Sequence, residues 1–416
     1  RADAVMSYSN YVYSAAVTPH WLGDSHYFWY ENHEKDGNFF YLVNAETGKK
    51  YRAEDKKGLA AYFPKKQKHL AELLLGEGQE EVPAWHMRGR NEGALRSPDG
   101  KWDAYIKDHN VYISPVNDEA PKVEYALSMD GNDKLTYDRR SLRWSPDSNH
   151  VETRRIPLIE SAPSTQKQPI LQWRDYAKPG DVLSTSLPVL FDVDSRTQIA
   201  LETAMYANQF SLYLTGWRDD SRAFTFEFNQ RGHQRYVVGE VNAETGKITH
   251  LADEQTETFI YYNNNFRHDL NDGEQMLWIS ERDGWRHIYL HDDKGQIVRQ
   301  ITKGEWVVRK VDYVDQENEV IYFTASGFVP GEDPYNLHYC RIGFDGKDFV
   351  DLTPENGNHI QTFSKDRRYF VDVYSRPDCP PVSQLRLTAD GSVIAELEKC
   401  DVTDLVARGW SMPEVF

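Results

Sequence analysis

The sequence lacks the strand-to-helix turn that presents a nucleophilic serine in α/β-hydrolases. No G-x-S-x-G string occurs among the 416 residues, and GWSMP from Gly409 fails at its last position. The alternation of strands and helices that such a fold requires is missing too, since helical periodicity is confined to AAYFPKKQKHLAELLLGE and DVTDLVARG. We therefore expect no catalysis of this kind by the chain alone.

Cysteine is scarce, because the chain has only Cys340, Cys379 and Cys400. Their odd number and wide spacing support neither a disulfide framework nor a structural zinc site, although one pair could bridge in an exported protein. No apolar run approaches the ~20 residues of a membrane span, and RADAVMSYSN at the start has no signal-peptide core. The sequence therefore predicts no membrane span and reads as a piece excised from a longer protein.

The chain is also poor in basic residues relative to acidic ones, with a formal net charge of -17. Binding to a phosphate backbone needs clustered lysine and arginine, so nucleic acid is not an expected partner. The string GEGQEE lacks the spacing of a phosphate or dinucleotide loop, and HDDKG lacks that of an EF-hand. We expect no cofactor.

One histidine pair has the spacing of a helical zinc site. His287 and His291 are four residues apart in HIYLH. The surrounding pattern is that of a strand, on which residues four apart lie about 13 Å from each other at about 3.3 Å per residue. The sequence therefore predicts no metal site.

Aromatic residues make up 13% of the chain, which favours strands. A unit recurs at least seven times: an aromatic or apolar residue, a polar turn containing an acid, and then an alternating apolar strand. The clearest copies are RSPDGKWDAYI, RWSPDSNHVET and GWRDDSRAFTFEF, and the weaker ones are HWLGDSHYFWYEN, RHDLNDGEQMLWIS, VDQENEVIYFTAS and FSKDRRYFVDVYS. Each copy has the chemistry of a β-hairpin.

The spacing of these copies indicates the architecture. The turn acids Asp220, Asp272, Glu317 and Asp366 are 45 to 52 residues apart, within the range of a four-stranded propeller blade. A wider interval, between Asp24 and Asp99, leaves room for one hidden blade. The sequence therefore predicts an all-β fold, a single β-propeller domain over residues 1–416 with about eight blades of four antiparallel strands.

Other segments fit the same plan. The near-identical strings FYLVNAETGKKY and YVVGEVNAETGKITHL predict hairpins in which glycine adopts a positive φ. In WSPD from Trp144, proline and aspartate shape a turn and the indole is expected to pack between blades. The Pro-, Ser- and Gln-rich stretch around residues 157–182 predicts an arm or long loop, which could be a protein contact or simply solvated.

The string ERDGWRHIYLHDDKGQIVRQITKGEWVV, from Glu281 to Val308, resembles the propeller of the dipeptidyl peptidase IV family of prolyl oligopeptidase-like serine peptidases. DLTPENGNHIQTFSKDRRYFVDVYSRPDCPPVSQL is similar to the last blades of that family, GALRSPDGKWDAYIKDHNVYI to an early one, and YAKPGD from Tyr176 to the return of its arm. The resemblance implies that a C-terminal α/β-hydrolase domain of the same polypeptide carries the catalytic triad. It also implies that the propeller admits peptide substrates and binds their free amine.

In that family two adjacent glutamates, upstream of a Trp-Ser-Pro anchor, hold the amine. The corresponding stretch here, MDGNDKLTYDRRSLRWSPDS, has no such pair and has Arg139 and Arg140 near that position, which puts strict dipeptidyl specificity in doubt. Asp133 and Asp138 are the nearest acids that could substitute, or they are ordinary turn residues.

Tyr261 and Tyr262 in FIYYNNNF fall close to where the family presents an aromatic side chain to the substrate pocket. Neighbouring strand residues face opposite sides, so we expect one of the two tyrosines to lie in the core.

The sequence therefore predicts the substrate-gating and substrate-orienting propeller of a serine exopeptidase that acts on short peptides. Members of the family that the chain resembles are often exported, which further indicates a location in the periplasm or the extracellular space. One alternative is a stand-alone propeller that binds a peptide, a glycan or a protein without enzymatic activity. Another is a scaffold that forms a homodimer through the arm.

Overall fold

The computed structural model describes residues 11–76, 94–116, 123–131, 137–144, 150–155 and 185–414. The chain divides into two compact units. Residues 1–87, 283–287 and 301–416 form the terminal unit, and residues 88–282 and 288–300 form the middle unit. The predicted arm around residues 157–182 lies outside the described residues, and the predicted single domain stays a prediction.

In the described residues, 28 strands form seven antiparallel sheets of four strands each, which we number in chain order. The first sheet contains β1 (His20–Trp21), β2 (Tyr27–Glu34), β3 (Gly37–Asn44) and β4 (Lys49–Ala53). The second contains β5 (Leu95–Arg96), β6 (Trp102–Lys107), β7 (Asn110–Pro115) and β8 (Tyr125–Ala126). The third contains β9 (Tyr137–Trp144), β10 (His150–Arg155), β11 (Pro188–Asp192) and β12 (Thr197–Ile199). The fourth contains β13 (Gln209–Trp217), β14 (Ala223–Gln230), β15 (Arg235–Asn242) and β16 (Ile248–Gln255).

The fifth sheet contains β17 (Arg267–Leu270), β18 (Gln275–Ser280), β19 (His287–Asp292) and β20 (Ile297–Gln300). The sixth contains β21 (Val307–Asp315), β22 (Val320–Ser326), β23 (His338–Gly343) and β24 (Val350–Asp351). The seventh contains β25 (Asn358–Phe363), β26 (Tyr369–Arg376), β27 (Cys379–Leu387) and β28 (Val393–Lys399). The described helices are α1 (Lys56–Ala60), α2 (Lys68–Leu75) and α3 (Thr403–Ala407).

The order of strands within every sheet follows the order of the chain. Each of the seven sequence copies spans the first two strands of one sheet, so the repeat identified by its turn acids is the repeat of the fold. The predicted all-β class is confirmed, and a succession of four-stranded antiparallel sheets is the blade unit of a β-propeller.

Local turn chemistry explains why these hairpins form where they do. In both Asn-Ala-Glu-Thr-Gly strings, which join the third and fourth strands of a sheet, the asparagine Oδ1 accepts backbone N–H groups. The shortest of these contacts are 2.9 Å at Asn44 and 2.8 Å at Asn242. The closing glycines, Gly48 and Gly246, have φ of 68° and 69°, a conformation that is strained for residues with a Cβ. The predicted positive φ is therefore confirmed.

Trp144, the tryptophan of the WSPD string, packs between two sheets of the middle unit. Trp144, on β9, is buried in a cluster with Val111 and Ile113 of β7. Its indole Nε1–H donates to the carbonyl oxygen of Leu95, 2.9 Å away. The packing role predicted for Trp144 is confirmed, and its polar atom is satisfied as buried indoles usually require.

In the terminal unit the first and seventh sheets share one core. Phe28 and Tyr30 of β2 are fully buried in a cluster with Val371 of β26 and Leu385 of β27. Burial of each of these large side chains contributes about 1.5 to 3 kcal/mol. A backbone bridge between Tyr13 and Asp401 adds a second contact between the two ends of the sequence. Residues more than 300 positions apart therefore stabilise one another.

The described residues contain one sheet fewer than the eight that the sequence predicts. The sequence predicts a hidden blade in the interval from Asp24 to Asp99. Where the structure describes it, this interval contains the rest of the first sheet, then α1, α2 and β5, the first strand of the second sheet. Leu59, Leu70 and Leu74 of these helices are buried against Leu42 of β3. A helical apolar stripe therefore covers Leu42 in the described part of this interval. Residues 77–93 lie outside the described residues, so the eighth blade stays a prediction.

All three cysteines are free thiols, with Cys340 and Cys400 buried and Cys379 half-buried. No pair forms the disulfide that the sequence left open. Within the described residues, no helix has both the length and the apolar character needed to cross a membrane.

Candidate functional site

Tyr261 and Tyr262 lie in the middle unit, between β16 and β17. They are not on a strand: Tyr261 precedes a 3-10 turn over Tyr262–Asn264. Tyr261 is 56% exposed, whereas Tyr262 is half-buried and packs at the edge of a core cluster. The tyrosines therefore differ in burial, but neither is fully buried, and a turn and not the pleat of a strand separates them.

Tyr262 belongs to an aromatic corner that we define as Phe210, His233, Phe259, Tyr261 and Tyr262. The His233 ring stacks on Tyr262 with centroids 4.6 Å apart, and it meets Phe210 and Phe259 edge-on at 4.6 and 5.3 Å. Phe210 and Phe259 remain 44% and 51% exposed. The corner therefore offers aromatic surface to a ligand, and pockets for small ligands are usually lined by such side chains.

Two backbone segments hold this corner together. The turn between β14 and β15 carries His233, whose φ of 58° is unusual for a residue with a Cβ. The backbone N–H of Ile260 donates to the His233 carbonyl oxygen at 2.7 Å, which ties the turn to the segment that bears both tyrosines. Burial among the rings lowers the pKa of His233, so its imidazole is neutral near pH 7. The corner is therefore an uncharged surface.

A polar cleft of about 360 Å³ lies at the other end of β13 and is bordered by β17. It is lined by Thr215, Gly216, Trp217, Arg218, Thr225, Glu227, Arg267, His268 and Asp269. Glu227 accepts hydrogen bonds from Tyr213 and Tyr236 at 2.6 and 2.5 Å, and Arg267 lies 3.7 Å away. Burial and the bond to Glu227 raise the pKa of Tyr213 to about 12, so this phenol keeps its proton.

Arg218 organises the same cleft. Its side chain is 5% exposed and forms ion pairs of 2.6 Å with both Glu240 and Asp269. Gly273, at φ 93°, lets the backbone pass the guanidinium, because a Cβ there would lie 2.2 Å from the Arg218 Cζ. The carboxylates of Glu227, Glu240 and Asp269 are thus already bound to partners within the unit. We interpret this cleft as a structural ion network and not as an amine site.

The two aspartates that the sequence offered as amine partners are placed only in part. Asp133 lies outside the described residues. The backbone of Asp138 is in β9, opposite Arg154 of β10. The structure therefore neither brings these acids to the aromatic corner nor separates them from it, and their role stays a prediction.

The histidines of HIYLH both lie on β19, as their strand pattern predicts. In the terminal unit, His287 hydrogen-bonds the Thr302 hydroxyl at 3.0 Å and the Gly304 carbonyl at 2.9 Å. In the middle unit, Nδ1 of His291 lies 2.9 Å from the Leu251 carbonyl. Both side chains are buried with these polar partners.

One group of metal-ligand types does occur in the described residues. Atoms of Glu355, His359 and Asp372 lie within 4.8 Å of one another in the terminal unit. Nδ1 of His359 faces Asp372 at 2.9 Å and its Nε2 faces the Glu355 carbonyl at 2.7 Å, so both ring nitrogens are used. Arg386 pairs with the carboxylates of Glu355 and Asp372. A cation would have to displace that guanidinium, so these residues form an ion network and not a metal centre.

The sequence reasoning missed Phe210, His233 and Phe259. Each lies in a different segment, and Phe210 and His233 are 23 positions apart, separated by the β13–β14 hairpin. The pairing of β13 with β14, and the bond from Ile260 to His233, help to bring them together. The one available signal was the string TFIYYNNNF, in which apolar side chains continue past the end of the strand pattern.

The strand order, the turn chemistry and the inter-sheet tryptophan define an all-β protein of the propeller type. A family model described as "Dipeptidyl peptidase IV (DPP IV) N-terminal region" matches residues 34–381. Because this match spans most of the sequence, the chain belongs to the family of dipeptidyl peptidase IV N-terminal regions.

Individual relatives agree with this assignment. The chain is 24% identical over 357 residues to "Probable dipeptidyl-aminopeptidase B" of Tuber melanosporum, covering 74% of this chain and 39% of that protein. It is 30% identical over 113 residues to "Dipeptidyl peptidase 4" of Arthroderma otae, covering 27% of this chain and 14% of that protein. The chain thus spans well under half the length of these relatives.

A solved structure shares the fold. The crystal structure of Porphyromonas gingivalis dipeptidyl peptidase 4 matches with a TM-score of 0.50 and 18% identity, covering 98% of this chain and 62% of that one. At that identity the similarity shows the fold alone.

Proposed function

We propose that this chain is the substrate-gating and substrate-orienting propeller of a serine exopeptidase that acts on short peptides. The family match over residues 34–381 carries the proposal, and the names of the relatives, dipeptidyl peptidase 4 and dipeptidyl-aminopeptidase B, indicate the reaction. The catalytic serine would come from a C-terminal α/β-hydrolase domain of the same polypeptide, because no G-x-S-x-G string occurs in this chain. Export to the periplasm or the extracellular space remains part of the proposal.

In this proposal the propeller orients the substrate, and the hydrolase domain catalyses the reaction. A peptide held by its amine and by its first side chains presents one bond to the nucleophile, and orientation of this kind supplies several kcal/mol of catalysis. The exposed rings of Phe210, Phe259 and Tyr261 supply apolar surface for those side chains. An amine additionally needs a carboxylate partner.

Asp133 and Asp138 are the sequence-based candidates for that partner. In the natural polypeptide that contains this chain, Asp133→Asn or Asp138→Asn should lower kcat/KM for free-amine dipeptide substrates about tenfold, because a charge-assisted hydrogen bond is lost. The same variants should leave kcat/KM for N-acetylated substrates unchanged. Chromogenic X-Pro and X-Ala substrates, with free and blocked amines, measure both values.

Asp194→Asn is the matched control, since Asp194 is an exposed acid in the turn between β11 and β12. It should change neither value. Equal losses on free and blocked substrates in the Asp133 and Asp138 variants would remove both residues as amine partners.

A further inference from the structure

One segment of the terminal unit is basic, although the chain as a whole is acidic. Residues 49–76 contain seven lysines and one arginine against Glu54, Asp55 and Glu72, whereas the formal net charge of the whole chain is -17. The segment comprises β4, α1, a 3-10 turn over Lys65–Gln67 and α2. A strand and the helices that follow it therefore bring positive charge together on an acidic protein.

The helices of this segment form a layer on one face of the first sheet. Tyr62, after α1, contacts Tyr51 of β4 with ring centroids 4.6 Å apart, and Phe63 contacts Tyr27 of β2 edge-on at 5.2 Å. The layer therefore reaches from β4 to β2. Its leucines are buried against the sheet, so its charged side chains face solvent.

Most lysines of the segment keep a charge that no carboxylate compensates. Lys50 pairs with Glu398 at 2.7 Å, and Lys68 pairs with Glu72 at 3.2 Å. The other five, which form no ion pair with any residue that the structure describes, are Lys49, Lys56, Lys57, Lys65 and Lys66. All of these are exposed except Lys56, whose Nζ lies 3.8 Å from the centre of the Trp29 ring.

Two exposed apolar side chains belong to the same layer. Tyr62 is 47% exposed, and Leu73 of α2 is 38% exposed. The Nζ of Lys49 lies 4.8 Å from the centre of the Tyr51 ring, which in turn contacts Tyr62, so Lys49 and Tyr62 share one surface. We call the five uncompensated lysines, Tyr62 and Leu73 the lysine face.

The composition of the lysine face favours a membrane over other anionic partners. Interfaces between proteins are depleted in lysine, and nucleic-acid recognition favours arginine. Arg52, the one arginine of the segment, is already paired with Glu34 at 3.0 Å. Membranes that contain anionic lipids attract clusters of lysine, and tyrosine and leucine enter the boundary between headgroups and acyl chains.

The acidic remainder of the chain does not prevent this contact. At physiological ionic strength the Debye length is about 8 Å, so charges farther than that from the membrane are largely screened. The charges that decide the contact are those on the face next to the lipid. The acidic remainder disfavours other orientations and so helps to select this one.

We propose that the lysine face docks this chain on the surface of a membrane that contains anionic phospholipids. In this contact the exposed lysines pair with lipid phosphates, and Tyr62 and Leu73 enter the boundary between headgroups and acyl chains. The contact is peripheral. It goes beyond the proposed function and does not depend on it, because no residue of the lysine face belongs to the candidate site.

Sedimentation of this chain with sucrose-loaded vesicles tests the contact. The chain should bind vesicles of phosphatidylcholine and phosphatidylglycerol, should not bind vesicles of phosphatidylcholine alone, and should lose affinity as salt is added. The double variant Lys65→Gln/Lys66→Gln should bind the anionic vesicles about thirtyfold more weakly, because each lysine near an anionic surface contributes about fivefold.

Lys303→Gln/Lys310→Gln is the matched control, because both lysines are exposed in the same unit and their loss changes the net charge equally. It should bind like the wild type. All four substituted lysines are exposed, so both double variants should keep the urea denaturation midpoint of the wild type. Equal losses of affinity in the two variants, or no binding of the wild type to anionic vesicles, would overturn the proposal.

Heparin distinguishes a membrane from a soluble polyanion. Leu73→Gln should weaken binding to anionic vesicles about two- to fivefold, because roughly a third of the leucine side chain is free to enter the lipid. The same variant should leave the affinity for heparin unchanged. If the chain binds heparin more tightly than anionic vesicles, and Leu73→Gln changes neither affinity, the partner is a soluble polyanion and the membrane contact is excluded.

Discussion

Replacing Arg386 with methionine should lower the free energy of unfolding of this chain by about 3 to 5 kcal/mol. Arg386 is 2% exposed and Asp372, its partner at 3.3 Å, is fully buried. The guanidinium also contacts Glu355, and it donates to the Gly391 carbonyl at 2.8 Å and to Gln384 at 2.5 Å. Its removal leaves a buried carboxylate without that cation, which costs more than the pair itself contributes.

Urea denaturation followed by circular dichroism measures this loss. Arg376→Met is a matched control on the same sheet, because Arg376 pairs with Asp378 at 2.8 Å with about a third of each side chain exposed. Exposed pairs of this kind contribute about 0 to 1 kcal/mol. The double variant Arg386→Met/Asp372→Asn should recover part of the loss. A loss for Arg386→Met no larger than that of the control would contradict the ion network.

The second large effect is a dependence of stability on pH through His338. Its ring is 2% exposed, with Nδ1 2.8 Å from the Thr353 carbonyl and 3.2 Å from Asp351, and Nε2 3.1 Å from Glu332. Burial alone would lower the pKa of His338. The hydrogen bond and charge of Asp351, with the other two acceptors, outweigh burial and raise the pKa to about 9.

A histidine whose pKa is raised by folding stabilises the folded state only while its ring is protonated. The contribution of His338 is therefore complete below the unfolded pKa of 6.5 and is lost as the pH rises through about 9. With about 1.4 kcal/mol for each tenfold change in proton affinity, the pH-dependent part is about 3 kcal/mol. Between pH 6 and pH 10, the stability difference between wild type and His338→Gln should shrink by about that amount.

Denaturation midpoints of both proteins across this pH range provide the test. His69→Gln serves as the control, since His69 is an exposed residue of α2, and substitutions at such positions change stability by about 0.5 kcal/mol or less. A difference between wild type and His338→Gln that stays constant, or grows with pH, would contradict the charged state of His338.

The parts of the fold that local chemistry decides were predictable from the sequence. The Asn44 and Asn242 turns and the positive φ of their glycines follow from side chains within a few residues of each hairpin. The WSPD string predicts that Trp144 packs between sheets, but not that Leu95 and Val111 are its partners. The blade count does not follow from spacing alone, because a long interval between turn acids is equally compatible with a hidden sheet or with helices. In the described part of the interval from Asp24 to Asp99, the apolar stripe of Leu70 and Leu74 indicates helices.

The candidate site was predictable only in part, for a physical reason. Tyr261 and Tyr262 stand in one string, but Phe210 and His233 join them through sheet pairing over tens of residues.

In the proposed function, this propeller controls which substrates reach a serine peptidase. The most direct measurement compares, for the natural polypeptide that contains this chain, cleavage of a short free-amine peptide with cleavage of the same residues at the N-terminus of a folded protein. We expect that the short peptide is cleaved, that a serine-directed inhibitor abolishes this cleavage, and that the folded protein is left intact. Cleavage of both at equal rates, or of neither, would exclude control of access by the propeller.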